Sequence, residues 1–333
     1  MHKPKVSIII PNYNHAKFLV ERLESVFNQI FQDFEVIILD DCSTDNSVEI
    51  LKNYSNHEKV SHFEVNKKNS GSVFKQWIKG IKLAKGEFIW IAESDDLADK
   101  DFLTETLKFA ELKNNVGLVF TKSYEIDELG IKTGTIYKPK FNNDINQIYG
   151  LELISKYLIE NLVIVNASSV LFKASKLKEI NFTELAQFKN TGDRYTYVSL
   201  ATHSKLYYLD KGLNFFRNHS NNTTKKNIEN SNIYKDRLKV LYFFIPLTEK
   251  NKLASDLSLK FYFKQSFLYF QKLSYKENFD FIDFLNSNRL INKYLSIRLK
   301  IFVLIFGSLK EKTPHRLRII YKNTINNKLN IQI

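Results

Sequence analysis

One cysteine, Cys42, in 333 residues leaves no intrachain disulfide framework and no cysteine-rich zinc site. The opening MHKPKVSIII lacks the long apolar stretch of a secretory leader, so the cytoplasm is the expected compartment. The most apolar run of the C-terminal part, Ile301 to Phe306, follows Arg298 and Lys300 and stops at Gly307. It falls far short of the ~20 residues that one membrane-spanning helix needs. No G-x-G-x-x-G and no G-x-x-x-x-G-K occurs, which removes the phosphate loop that a dehydrogenase or pyrophosphorylase on a similar sheet would use. Acid is scarce at one end: from residue 286 onward ten Lys/Arg face only Glu311, and that tail carries +9 of the net +13. The other 285 residues are nearly balanced, so bulk charge does not call for a nucleic-acid partner.

What is present is a folding chain, 44% hydrophobic and 14% aromatic. Val6 to Ile10 is an apolar run suited to a strand buried on both faces, and Pro11-Asn12-Tyr13-Asn14 separates it from an amphipathic stretch, Ala16 to Gln29. The pattern repeats with strands over Val36 to Leu39, Val60 to Val65, Phe88 to Ile91 and Val116 to Thr121. Between them lie helices running from Ser43–Asp45 caps to about Asn53, from Ser72 to Lys85 with Gly86 as C-cap, and from Lys100 to Asn114. Such alternation predicts an α/β fold, a mostly parallel sheet flanked by helices, with the loops after strands one, two and four converging on one crevice. Further on, a helix over Leu151 to Asn161, a strand over Ser168 to Lys173 and another over Leu206 to Leu209 are expected to complete the crevice wall. Beyond about Asn221 glycine nearly vanishes and aromatic helical patterns such as Asp256 to Tyr275 predict a separate helical appendage. The expected division is 1–220, with a nucleotide-binding half to 120 and an acceptor-binding half after it, and 221–333.

Glu93-Ser94-Asp95-Asp96 puts three carboxylates directly after a buried strand, opposite Asp40-Asp41. Their mutual repulsion is relieved if a hard divalent cation with oxygen ligands sits among them; otherwise they cap the helix near Lys100. Together with Pro11-Asn12-Tyr13-Asn14, Asp40 to Asp45, Asn69-Ser70-Gly71 and Ala84 to Ile89, this quartet follows an order and spacing that resembles family 2 glycosyltransferases of the GT-A (Rossmann-like) fold. The resemblance is strong over residues 4 to about 120, looser to 220, and weak beyond.

The resemblance implies an inverting transfer from a nucleotide-sugar donor, with Pro11, Tyr13, Asp41, Lys75, Ser94 and Asp95 around the nucleotide. Asp41 would accept a hydrogen bond from the base. It also implies Mg²⁺ or Mn²⁺ held by Asp95 and Asp96, with Glu93 standing where an aspartate is commoner and His219 within reach of the metal or diphosphate. The implied general base is Asp193 in Thr191-Gly192-Asp193-Arg194-Tyr195, where glycine would let the backbone approach the site; Glu184 is the rival. Asp193 would equally serve as the cap of a helix over Tyr195 to Thr202. The remaining histidines, His15 among them, show no ligand spacing. The absence of Gln-x-x-Arg-Trp points to one transfer per acceptor, the acceptor being a glycan, carried on lipid in bacterial O-antigen or capsule assembly. The basic tail suits either an anionic membrane surface, on the inner face of the cytoplasmic membrane, or a second subunit, including another copy of the chain. The alternative function is a non-catalytic nucleotide-sugar or glycan-binding subunit.

Overall fold

The computed structural model describes residues 3–141, 146–161, 163–220, 231–309, 319–321 and 323–325. Two compact units emerge: residues 1–149 with 162–222, and residues 150–161 with 223–333.

The first unit is built on a mixed sheet of ten strands. Its parallel core is β1 (Val6–Asn12), β2 (Phe34–Asp40), β3 (Val60–Val65) and β4 (Phe88–Ile91), ordered β3-β2-β1-β4. β1 pairs in parallel with both β2 and β4, and every residue of these three strands is buried, as continuous apolar runs require. α1 (Ala16–Phe27), α2 (Ser47–Tyr54) and α3 (Val73–Leu83) are the crossovers. β5 (Leu97–Ala98), α4 (Phe102–Glu111), β6 (Val116–Ile126), β7 (Lys132–Tyr137) and β8 (Gln147–Ile148) follow. β9 (Val170–Lys173) then enters antiparallel between β4 and β6, and the long β10 (Lys205–Arg217) runs parallel to β6.

Strand positions agree closely with the apolar runs, whereas helix boundaries are shorter than expected. Gly86 is not a helix C-cap: α3 ends at Leu83, and Gly86 instead meets β1, its N–H donating to Ser7 Oγ at 2.8 Å. A Cβ there would lie 2.5 Å from the Ser7 backbone nitrogen, so close approach of two chains, not helix termination, requires the glycine. The expected strand over Leu206 to Leu209 is part of a longer one that continues to Arg217, with register shifts around Gly212.

The second unit is helical. Residues 151–160 form a short α-helix, Leu151–Ile154, continued by a π-helical turn, Ser155–Glu160. They group with this unit rather than with the crevice wall, because the Ser155 hydroxyl bonds Ala254 O at 3.1 Å inside it. The long helices are α9 (Asn232–Phe244), α10 (Lys252–Lys272), α11 (Tyr275–Ser287) and α12 (Lys293–Leu309). Aromatic rings fill the space between them: Tyr262 packs on Tyr269 and Phe281, and Phe302 and Phe306 pack on Tyr321. Lys310, Lys312, Arg316, Arg318, Lys322 and Lys328 of the basic tail lie outside the described residues.

Candidate active site

The loops after β1, β2 and β4 meet at the carboxyl ends of the parallel strands, where the strand order reverses around β1. The β2 loop is tied down first. Asp40 accepts from Asn12 Nδ2 at 2.8 Å, Ser43 N at 2.8 Å and Ser43 Oγ at 2.6 Å, which turns the chain sharply enough that Cys42 takes a φ of 65°. Cys42 is thus a turn residue. Pro11 is buried within β1, while Tyr13, just after it, is 45% exposed.

Asp41 behaves differently from the expected free acceptor. Its carboxylate receives Asn66 Nδ2 (2.7 Å), Gln76 Nε2 (2.7 Å), Ser70 Oγ (2.8 Å) and Ser70 N (2.9 and 3.0 Å). A carboxylate has about four lone-pair sites, and these bonds use them. Asp41 therefore gathers the 66–76 loop around itself instead of presenting an open oxygen. Lys75, in the first turn of α3, is exposed and donates back to Ser70 O of this loop at 2.8 Å.

The acidic loop after β4 divides its carboxylates between structure and chemistry. Glu93 accepts from Trp77 Nε1 at 2.9 Å. Burial first, then the charges of Asp95 and Asp96, push its pKa up to about 8. Asp96, 2% exposed, accepts from Arg217 N at 3.0 Å and from Asn166 Nδ2. Burial and the neighbouring Asp95 raise it to about 7. Burial would raise Asp95 too, but His15 and His219 outweigh it and hold Asp95 down at about 2. Asp95 is thus the most acidic of the three.

Around Asp95 lie side chains that could hold a metal ion. His219 Nε2 lies 3.1 Å from Asp95 Oδ2, and the His15 and His219 rings meet edge to face at 5.7 Å. One ligand atom each from His15, Asp95 and His219 falls within 4.8 Å of the others, the one such group among the described residues. Two imidazoles and a carboxylate are a donor set that fits a first-row divalent ion such as Mn²⁺. Of the expected set, Asp95 and His219 fall in this group together with His15, while Glu93 accepts from Trp77 and Asp96 from Arg217 N and Asn166. Ser94 supports the group, its hydroxyl sharing a 2.8 Å hydrogen bond with His15 Nδ1, as an outer partner fixes a ligating ring.

Two arginines hold these loops from below. Arg22, fully buried on α1, donates to Glu93 O at 2.8 Å and Ser168 Oγ at 3.0 Å. Burial lowers its pKa to about 10, with Asp96, Asp95 and Glu93 opposing, so it remains a cation. Arg217 donates to Asp95 O (2.8 Å), Glu128 O (3.1 Å) and Glu21 Oε2 (2.6 Å).

Asp193 sits in the first turn of α8 (Gly192–Ala201), its Oδ1 accepting from Arg194 N at 2.7 Å. Its charge contributes to raising both Glu93 and the buried Tyr197 phenol, which puts it electrostatically beside the acidic loop. A Cβ on Gly192 would lie 2.8 Å from the Phe74 ring, so this glycine admits an aromatic neighbour, not the backbone to a ligand. α3 supplies both contacts, with Phe74 against Gly192 and Trp77 against Glu93. Glu184, the rival base, lies in the first turn of the short helix Phe182–Leu185, where its charge raises the Tyr195 phenol.

His15, Arg22 and Arg217 went unassigned in the sequence. Arg22 had a signal: it falls in the apolar stripe of α1 with Phe18, Leu19, Leu23 and Val26, where an unpaired cation would be costly. His15 had none, because its partners lie 79 and 204 positions away along the chain.

In such a sheet ligands bind outside the carboxyl ends of the strands, which is where the acidic, histidine-flanked loop lies. Residues 7–180, just over half the chain, match the family model described as Glycosyl transferase family 2, and the chain belongs to that family: it is a glycosyltransferase. It is 28% identical over 224 residues to Glycosyltransferase GlyG of Streptococcus pneumoniae serotype 4, covering 65% of this chain and 71% of GlyG. Staphylococcus aureus TarS 1–349 in complex with UDP-GlcNAc superposes with a TM-score of 0.68 at 19% identity, over 97% of this chain and 92% of that one. Mannosyltransferase PcManGT from Pyrobaculum calidifontis, in complex with GDP-Man and Mn²⁺, gives 0.51 at 15% identity, over 93% and 87%. At such identities the likeness shows the fold, which is GT-A. In sequence, TarS is matched over only 111 residues, 19% of its length, at 39% identity.

Proposed function

We propose that the chain transfers a single sugar, with inversion, from a uridine diphosphate sugar to a hydroxyl of an acceptor glycan. The observation that carries this reading is the His15–Asp95–His219 group at the carboxyl end of β4, with Asp193 electrostatically coupled to the same loop. A divalent cation, Mn²⁺ in preference to Mg²⁺, would be held by those three side chains and supply positive charge beside the donor diphosphate.

The protein's own groups do the rest. The loop organised by Asp41, with Pro11, Tyr13 and Lys75 around it, shapes the slot for the base. The Asp193 carboxylate takes the proton of the attacking hydroxyl, so that negative charge passes to the departing nucleoside diphosphate. Arg22 and Arg217 fix Glu93 O and Asp95 O, and thereby the loop that carries Asp95. Substrates of the named relatives support a UDP-sugar over a GDP-sugar, since TarS, with the higher TM-score, is bound to UDP-GlcNAc. A lipid-linked intermediate of a bacterial surface polysaccharide, handled at the inner face of the cytoplasmic membrane, is the acceptor class this reading favours.

The test is release of nucleoside diphosphate from a panel of nucleotide sugars, with Mn²⁺ and with chelator, for the wild type and Asp95→Ala. Metal-dependent release from one donor, abolished by the substitution, is the expected outcome. Absence of release together with absence of metal-dependent donor binding would overturn this reading and favour the non-catalytic, glycan-binding one.

A further inference from the structure

Helix α12 is apolar on two opposite sides. Leu295, Leu299, Phe302, Val303 and Phe306 are buried against the rest of the helical unit. Tyr294, Ile297, Ile301 and Leu304, spaced three, four and three residues apart, form a second stripe that is 57%, 51%, 50% and 49% exposed. At about 100° per residue, Arg298 flanks this stripe on one side and Lys293 and Lys300 on the other. No acidic residue occurs between 293 and 309. Arg298 lies 5.4 Å from the Tyr294 ring, and Lys300 bonds Asp283 at 2.7 Å from the edge of the stripe.

We infer that this stripe is a docking face for a bilayer rich in anionic lipid. The spacing alone would also suit pairing with a second copy, but the flanking charges decide against it. Two such helices side by side would bring rows of Lys and Arg together with no acid on either helix to offset them. The occupant must offer apolar depth along the centre and negative charge along both edges. Acyl chains beneath anionic headgroups do both, with Lys and Arg reaching outward to the phosphates and Tyr294 at the boundary. No helix among the described residues is long and apolar enough to cross a membrane, so the helix lies on the surface. Of the +9 carried from residue 286 onward, the part beyond Lys293, Arg298 and Lys300 adds attraction of the same sign. This deepens the lipid-linked acceptor reading, but its test measures lipid and not sugar, so the two can fail separately.

The experiment is co-sedimentation of the full chain with phosphatidylcholine vesicles, with and without phosphatidylglycerol, at low and high salt. Each near-surface basic side chain is worth roughly fivefold in partitioning. Binding is therefore expected only with phosphatidylglycerol, weakened by salt, and lowered more than about tenfold by Lys293→Glu with Arg298→Glu. Ile297→Ser with Ile301→Ser should lower it comparably, and circular dichroism identifies any variant that fails to fold. As a second readout, Tyr294→Trp should shift its emission to the blue on anionic vesicles alone. Equal binding to both lipids, undiminished binding by both double variants, or dimerisation in solution abolished by Ile297→Ser would each overturn the inference.

Discussion

The sheet unit and the helical unit both have apolar cores and differ in the polar groups they bury. Beneath the carboxyl ends of its strands the sheet unit buries Asp40, Asp41, Asp96, Arg22, Arg217 and His219, each no more than 4% exposed. The helical unit fills its centre with Tyr262, Tyr269, Phe281, Phe306 and Tyr321, and its polar interior is mostly hydroxyl groups such as Ser258 and Thr248. Burying charge is costly unless every partner is present, so the sheet unit tolerates it only because the loops are laced into one network. Aromatic packing is driven by burial and needs no such network of charges. Polar burial concentrated at one end of a sheet marks where chemistry is done, and apolar burial marks support.

Substitutions should break this contrast by different routes. The largest effect is expected from Asp193→Asn, which keeps the size of the side chain but removes the proton acceptor. Turnover should fall by roughly 10²- to 10⁴-fold with donor binding retained, read by steady-state kinetics and donor titration. Equal loss of donor binding would show that Asp193 is structural. Next, Phe281→Ala opens the aromatic centre of the helical unit and should destabilise it by about 3–5 kcal/mol in denaturant unfolding, a loss of packing and not of chemistry.

His15→Gln sharpens the polar side of the comparison. Removing one of two imidazoles should weaken Mn²⁺ binding by about tenfold and narrow the preference for Mn²⁺ over Mg²⁺. Titration monitored by the Mn²⁺ electron spin resonance signal reads this without turnover, and unchanged affinity would exclude His15 as a ligand. The smallest effect belongs to Ser274→Ala at the start of α11. There the Ser274 hydroxyl accepts from Glu277 N at 3.2 Å while Glu277 reaches back to Ser274 N at 2.8 Å. Losing this capping box should cost about 1 kcal/mol of stability, with activity unaltered.

The strands were legible because an all-buried parallel strand leaves an unbroken apolar run, as in Ile8-Ile9-Ile10 and Ile37-Ile38-Leu39. The acidic quartet was legible because acids so close together after such a run need a reason. Helix ends were less so: Ser43 and Asp45 have cap chemistry, yet Asp40 and Asn14 claim that loop and α2 starts only at Ser47. Gly86 and Gly192 were seen as special but for the wrong cause, since a glycine that admits Ser7 or Phe74 looks in sequence like one that ends a helix or lines a site.

By itself, then, the sequence determined the α/β order, the family, the acidic loop and the basic, aromatic C-terminal region, because these depend on residues near one another along the chain. Only the tertiary structure decided that Asp41 is saturated, that Asp95 is the most acidic of the three carboxylates, and that His15 lies beside it. It also decided that one apolar stripe of α12 faces outward. Each of these turns on which groups, tens to hundreds of residues apart, come within a few ångströms. Ionisation, coordination and exposure are properties of that proximity, and local pattern does not carry it.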